Sequence, residues 1–125
     1  MNLSNYDVVE LLKEWGAWSS TGIGKGSLET PLYDNSHWIS DDIGLAIDSA
    51  VGKLRLADES KKRLDASRKI KRHSPRYAAI TFYYKRRYNI PMVANALKCG
   101  DDKAALILKS GEAFIESALG LHEVA

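Results

Sequence analysis

Apolar positions recur at helical spacing along most of this chain, and they predict an all-α fold. Val8, Leu11, Leu12, Trp15 and Trp18 form one stripe, with Glu10, Lys13 and Glu14 on the other face. Ser4 is the expected N-cap of this helix, with Asp7 three residues on and Leu3 and Val8 placed as a hydrophobic staple. A second stripe, Ile43, Ala46, Ile47, Ala50, Val51 and Leu54, follows Ser40-Asp41-Asp42, whose carboxylates suit the positive end of a helix dipole. A third helix is predicted from Ser74 as N-cap and Pro75 as first helical residue. It carries Tyr77, Ile80, Thr81, Tyr84 and Tyr88 on one face and ends in Lys85, Arg86 and Arg87. Asn89-Ile90-Pro91 restarts the chain into a short helix, Met92 to Lys98, with Met92, Val93, Ala96 and Leu97 as its apolar positions. Cys99-Gly100 is expected to end it through a left-handed glycine. Asp101 or Asp102 then caps a last helix with the stripe Ala104, Ile107, Leu108, Gly111, Phe114, Ile115 and Ala118.

Two stretches lack such a pattern. Residues 19–38 hold Gly22, Gly24, Gly26 and Pro31 and predict a Gly-rich loop between the first two helices. Its Gly-Ile-Gly-Lys-Gly run lacks both the spacing and the preceding strand of a phosphate-binding P-loop. Residues 57–73 have Leu64 and Ile70 as their only large apolar side chains. They read either as a solvated helix or as a basic arm that orders on nucleic acid. The chain thus divides into N-terminal helices and loop (1–56), a basic connector (57–73) and a helical unit (74–121), all in a single domain of 125 residues.

The helical unit has the pattern of a helix-turn-helix. Ala96 is the small residue where the helices touch, Gly100 lies in the turn, and Leu106 seats the second helix. Charge sharpens this reading. From Lys61 to Lys98 there are twelve Lys or Arg and one acid, Asp65, a net of +11, while the rest of the chain carries six basic and fifteen acidic side chains, a net of −9. That asymmetry is an electrostatic footprint for phosphate, hidden by a total of only +2.

Other chemistry is scarce. One cysteine, Cys99, excludes an internal disulfide and a multi-cysteine zinc site. His37, His73 and His122 are scattered in sequence, and helix capping accounts for Asp41 and Asp42, so neither a metal site nor a catalytic site is expected. No apolar run approaches the ~20 residues of a membrane span, and the first 25 residues show no secretory pattern.

With these pieces placed, the chain resembles the phage antitermination protein Q family, of the phage 21 type. The carrying residues are Leu11-Leu12-Lys13-Glu14-Trp15-Gly16-Ala17-Trp18, the Asp41-Asp42 helix start, and Tyr83-Tyr84. The turn from Ala96 to Gly100 and the closing Glu112-Ala113-Phe114-Ile115-Glu116 helix, ending in Leu119-Gly120-Leu121, complete the series. Trp-Gly-Ala-Trp is the specific part. The chain departs from the family pattern in a longer basic segment at Lys61 to His73 and a longer spacing from Tyr84 to Gly100.

The resemblance implies a helix-turn-helix like that of sigma-factor region 4 and a partner set. Such proteins bind a DNA element near a phage late promoter. They load onto promoter-proximally paused bacterial RNA polymerase with its sigma factor, and narrow the RNA exit channel so that terminator hairpins cannot form. That places the protein in the cytoplasm of the host cell, with no cofactor and no covalent chemistry. Asp102, Lys103, Ala105 and Lys109 are expected to face the major groove. Lys61, Lys62, Arg63, Arg68, Lys69, Lys71, Arg72, Lys85, Arg86 and Arg87 are expected to contact phosphates of DNA or emerging RNA. Trp15 and Trp18 serve either core packing or partner binding. An operator-binding helix-turn-helix regulator, a small nuclease and an adaptor domain stay open as alternatives.

Overall fold

The computed structural model describes residues 6–21, 38–67 and 75–120, with side chains described except at 21 and 63–67. Among these residues all regular structure is helical. The helices are α1 (Val8–Thr21), α2 (Asp41–Ser67), α3 (Arg76–Ile80), α4 (Ile90–Leu97) and α5 (Asp101–Leu119), and α3 continues into a π-helical turn over Thr81–Lys85. The predicted Gly-rich loop, the Ser4 cap, Ser74 and the C-terminal residues 121–125 lie outside the described residues. The all-α expectation holds for what is described.

The core follows the stripes. Leu11, Leu12, Ile47, Leu54, Ile80, Val93 and Ile115 are fully buried, with Trp15, Val51, Ala79, Ala104 and Leu108 among them. Helix α5 is the hub: it packs on α1, α2, α3 and α4, while α1 lies across α2 and the π turn. A few positions depart from expectation. Met92, Ala96 and Ala118 are exposed, and Ala94 is buried in place of Ala96. Helix α4 leans on the core through Val93 and Ala94, one step round from the predicted face.

Helix ends differ more. Leu11 N–H donates to the Asp7 carbonyl at 3.1 Å, and α1 opens at Val8, directly after Asp7. Helix α2 runs unbroken past Leu54 to Ser67, so residues 57–67 of the connector take the helical one of their two expected forms. Good helix formers from Arg55 to Ala66, with no Gly or Pro among them, account for this. Pro75 is the N-cap of α3 rather than its first residue. That cap has no acceptor of its own. Instead Asp58, on α2, accepts Tyr77 N–H at 2.8 Å and Arg76 Nε at 2.9 Å, capping a neighbouring helix across the interface. Asp58→Ala removes both bonds from a mostly buried site and should lower stability by about 2 kcal/mol. Asp58→Asn, which keeps an acceptor, should lose less. Urea midpoints of the two variants check this, and equal losses would argue against the capping role.

The chain restarts at Asn89 with Pro91 in the first turn of α4, and Asn89 is the cap, its Oδ1 accepting Met92 N–H at 2.9 Å. The turn after α4 is a correction. Lys98, at φ 58°, is the left-handed residue, while Gly100 is extended at φ −76° and ψ 163°. Gly100 is also the N-cap of α5, so Asp101 and Asp102 sit inside the first turn rather than capping it.

Candidate nucleic-acid interface

The unit α4–Lys98-Cys99-Gly100–α5 is two helices packed through Val93, Ala94, Ala104, Ile107 and Leu108. The three markers that suggested it from sequence do not hold it together. Ala96 is exposed, Leu106 is 68% exposed, and Gly100 makes no left-handed turn. On α5, Asp102, Lys103 and Lys109 are exposed and Ala105 is half-buried. At about 100° per residue, Asp102, Leu106 and Lys109 share the outward face, whereas Lys103 and Ala105 fall on opposite flanks. The four predicted base-facing residues therefore do not line one strip.

The predicted phosphate contacts fall into two described groups. Lys61 and Lys62 are exposed near the end of α2, where Arg63 is helical and its side chain is outside the described set. Arg68, Lys69, Lys71 and Arg72 lie outside the described residues. Lys85, Arg86 and Arg87 are exposed and consecutive, on the turn between the π segment and α4. Between the two groups runs the seam of α2 and α3. Two shallow depressions of about 190 Å³ each, sharing Arg55 and Tyr77, carry it from Lys62 to Lys85. Of the acids along it, Asp58 is occupied by Arg76 and Asp48 accepts Trp15 Nε1 at 3.3 Å, while Glu59 is exposed.

Trp15 and Trp18 are 2% and 8% exposed, so of their two expected roles the structure supports core packing. Trp18 Nε1 donates to Asp41 Oδ1 at 2.9 Å, and its ring lies where a Cβ on Gly44 would stand. Both indoles thus join α1 to α2. Among the described residues, the aromatics exposed to solvent rather than half-buried are Tyr6 (40%) and Trp38 (50%), paired at 4.9 Å between ring centroids. Neither belongs to a helical stripe, so periodicity had no means of finding them.

On the opposite side of the π turn, Lys13, Tyr83, Tyr84, Arg87, Tyr88 and Asn89 line an open groove of about 440 Å³. The π turn shapes its wall. Arg86 N–H reaches the Thr81 carbonyl at 3.0 Å and Tyr88 N–H reaches the Phe82 carbonyl at 2.9 Å, with Arg87 left-handed at φ 59°. This closing pattern ordinarily takes glycine. Tyr88 stacks on Phe82 with centroids 5.2 Å apart and planes 2° apart, and Arg86 lies over the Phe82 ring at 5.6 Å. Tyr83 meets Tyr84 edge-on at 4.8 Å. Tyr84 donates its hydroxyl to Glu112 on α5. Burial holds that hydroxyl well above the ordinary tyrosine range, and the Glu112 hydrogen bond and charge raise it further.

Among the described residues, no cluster of three or more His, Cys, Asp or Glu could hold a metal ion, and no helix is long and apolar enough to cross a membrane. No family model, curated protein or solved structure matches the chain.

Proposed function

We propose that the chain binds DNA through its exposed cations and acts as a phage transcription antitermination factor. In this reading it engages a DNA element near a late promoter, loads onto paused RNA polymerase with its sigma factor, and narrows the RNA exit channel. The observation that carries DNA binding is the exposure of Lys61, Lys62, Lys85, Arg86 and Arg87 within a segment of net +11. The antitermination step rests on the Trp-Gly-Ala-Trp resemblance. Helices α4 and α5 serve as the helix-turn-helix. Base reading then falls to the outward face of α5 at Asp102 and Lys109, since Lys103 and Ala105 flank it on opposite sides. The role is one of steric and electrostatic placement, with no covalent step.

Two measurements test it. Replacing Lys61, Lys62, Lys85 and Arg86 together by Ala should flatten the slope of log affinity against log salt for duplex DNA, by up to about 0.9 per lost contact. An unchanged slope removes these cations from the interface. Transcription past an intrinsic terminator, with purified polymerase and the late promoter in cis, should show raised read-through. A change in initiation without read-through would instead mark an operator-binding regulator.

A further inference from the structure

The groove beside the π turn is separate from the α5 face and from the α2–α3 seam, and it shares Arg87 alone with the cations proposed for duplex DNA. Its lining has a specific chemistry. Tyr83 and Tyr88 are half-buried and offer ring surface, Lys13 and Arg87 are exposed cations on its rim, and Asn89 adds an amide. Tyr88 is held flat against Phe82, with Arg86 over the same Phe82 ring, so aromatic layers are already stacked and fixed before any ligand arrives. The Tyr84–Glu112 bond ties the groove wall to α5. The volume of about 440 Å³ lies within the ~300–1,000 Å³ of small-ligand clefts.

We infer that this groove binds an unpaired nucleotide of a single strand, its base stacking on Tyr88 and Tyr83 and its phosphate held by Lys13 and Arg87. A base has two flat faces and extends an aromatic stack with little regard to sequence, while the cations follow the backbone. A duplex keeps its bases inside and cannot enter. The left-handed backbone at Arg87 fits this role. An arginine where glycine would be less strained directs a cation to the groove rim, the kind of outlier that concentrates at ligand sites. The inference rests on the nucleic-acid reading in general but not on duplex binding or antitermination.

The test uses the full chain with labelled oligothymidylate and oligouridylate, each alone and annealed to its complement, read by fluorescence anisotropy. Tyr88→Leu keeps apolar packing on Phe82 but removes the ring, and should weaken single-strand binding roughly tenfold. Lys13→Gln, on an exposed helix position that tolerates it, should flatten the single-strand salt slope by about 0.7. Duplex affinity should not move in either variant. A preference for oligouridylate would identify RNA as the natural strand, and a preference for oligothymidylate an opened DNA strand. Single-strand affinity untouched by both variants, or lost equally for duplex and single strand, would overturn the inference. Duplex binding with no single-strand binding also overturns it while leaving the proposed function standing. Single-strand binding without duplex binding does the reverse.

Discussion

Gly16→Ala should destabilise this protein by about 3 kcal/mol or more, against the sign that helix propensity gives. Alanine in place of glycine inside a helix ordinarily gains ~1 kcal/mol. Here α1 crosses the π turn so closely that a Cβ on Gly16 would run into the carbonyl oxygen and carbon of Tyr84. Those are backbone atoms, so no rotamer change relieves the clash. Either α1 must lift from the core or the π turn must move, and insertion of one methyl group into a filled core costs ~1–3 kcal/mol even without a backbone in the way. Moving the turn also disturbs the Tyr84–Glu112 bond. Gly52 is the internal control. It lies within α2 and a Cβ there meets nothing within 4 Å, so Gly52→Ala should stabilise by about 0.5–1 kcal/mol. Urea unfolding of the two variants should therefore give opposite signs for one chemical change. A Gly16→Ala midpoint within error of the parent would show that α1 and the π turn are not in contact.

The same position shows what a sequence motif can carry. Trp-Gly-Ala-Trp is legible as a helix face, and both indoles do reach the core. That Gly16 is required by a carbonyl from residue 84 is a long-range fact with no local signature. The pattern recurs elsewhere. The stripes of α1, α2 and α5 were legible because 3.6-residue periodicity reports burial directly, and the restart at Asn89-Ile90-Pro91 was legible because proline is tolerated only in a helix's first turn. The cap of α3 was not, since its acceptor, Asp58, lies 19 residues away from Tyr77 on another helix. Gly100 drew the left-handed turn in the sequence reading because glycine is its cheapest occupant, yet the chain spends Lys98 and Arg87 there instead. The groove at Lys13, Tyr83, Arg87 and Tyr88 joins α1 to residues about seventy positions on. Only packing brings them together. The predicted face holds Tyr84 and Tyr88 but not Tyr83, whereas all three line the groove beside the π turn.

Tyr84→Phe should make stability less sensitive to alkali. Tyr84 is 4% exposed, and burial followed by the Glu112 bond raises its hydroxyl pKa far above the ordinary value. In the unfolded chain the same phenol ionises near about pH 10. Below that pH both states hold the proton and the stabilisation from Tyr84 is fully present. Above it the unfolded state releases the proton while the folded state keeps it, so folding loses ~1.4 kcal/mol per pH unit until the folded pKa is reached. Phenylalanine has no proton to lose. At about pH 8 the variant should be the weaker protein by ~1.5–3 kcal/mol, because a hydrogen bond to a carboxylate is gone. From about pH 10 upward that deficit should close by ~1.4 kcal/mol per unit, and near pH 12 the two proteins should unfold at similar urea concentrations. Lysines and the other tyrosines titrate in both proteins, so the difference between the two curves isolates position 84. A deficit that stays constant from pH 8 to pH 12 would mean that the Tyr84 hydroxyl is open to water, and that the contact tying the π turn to α5 does not form in solution.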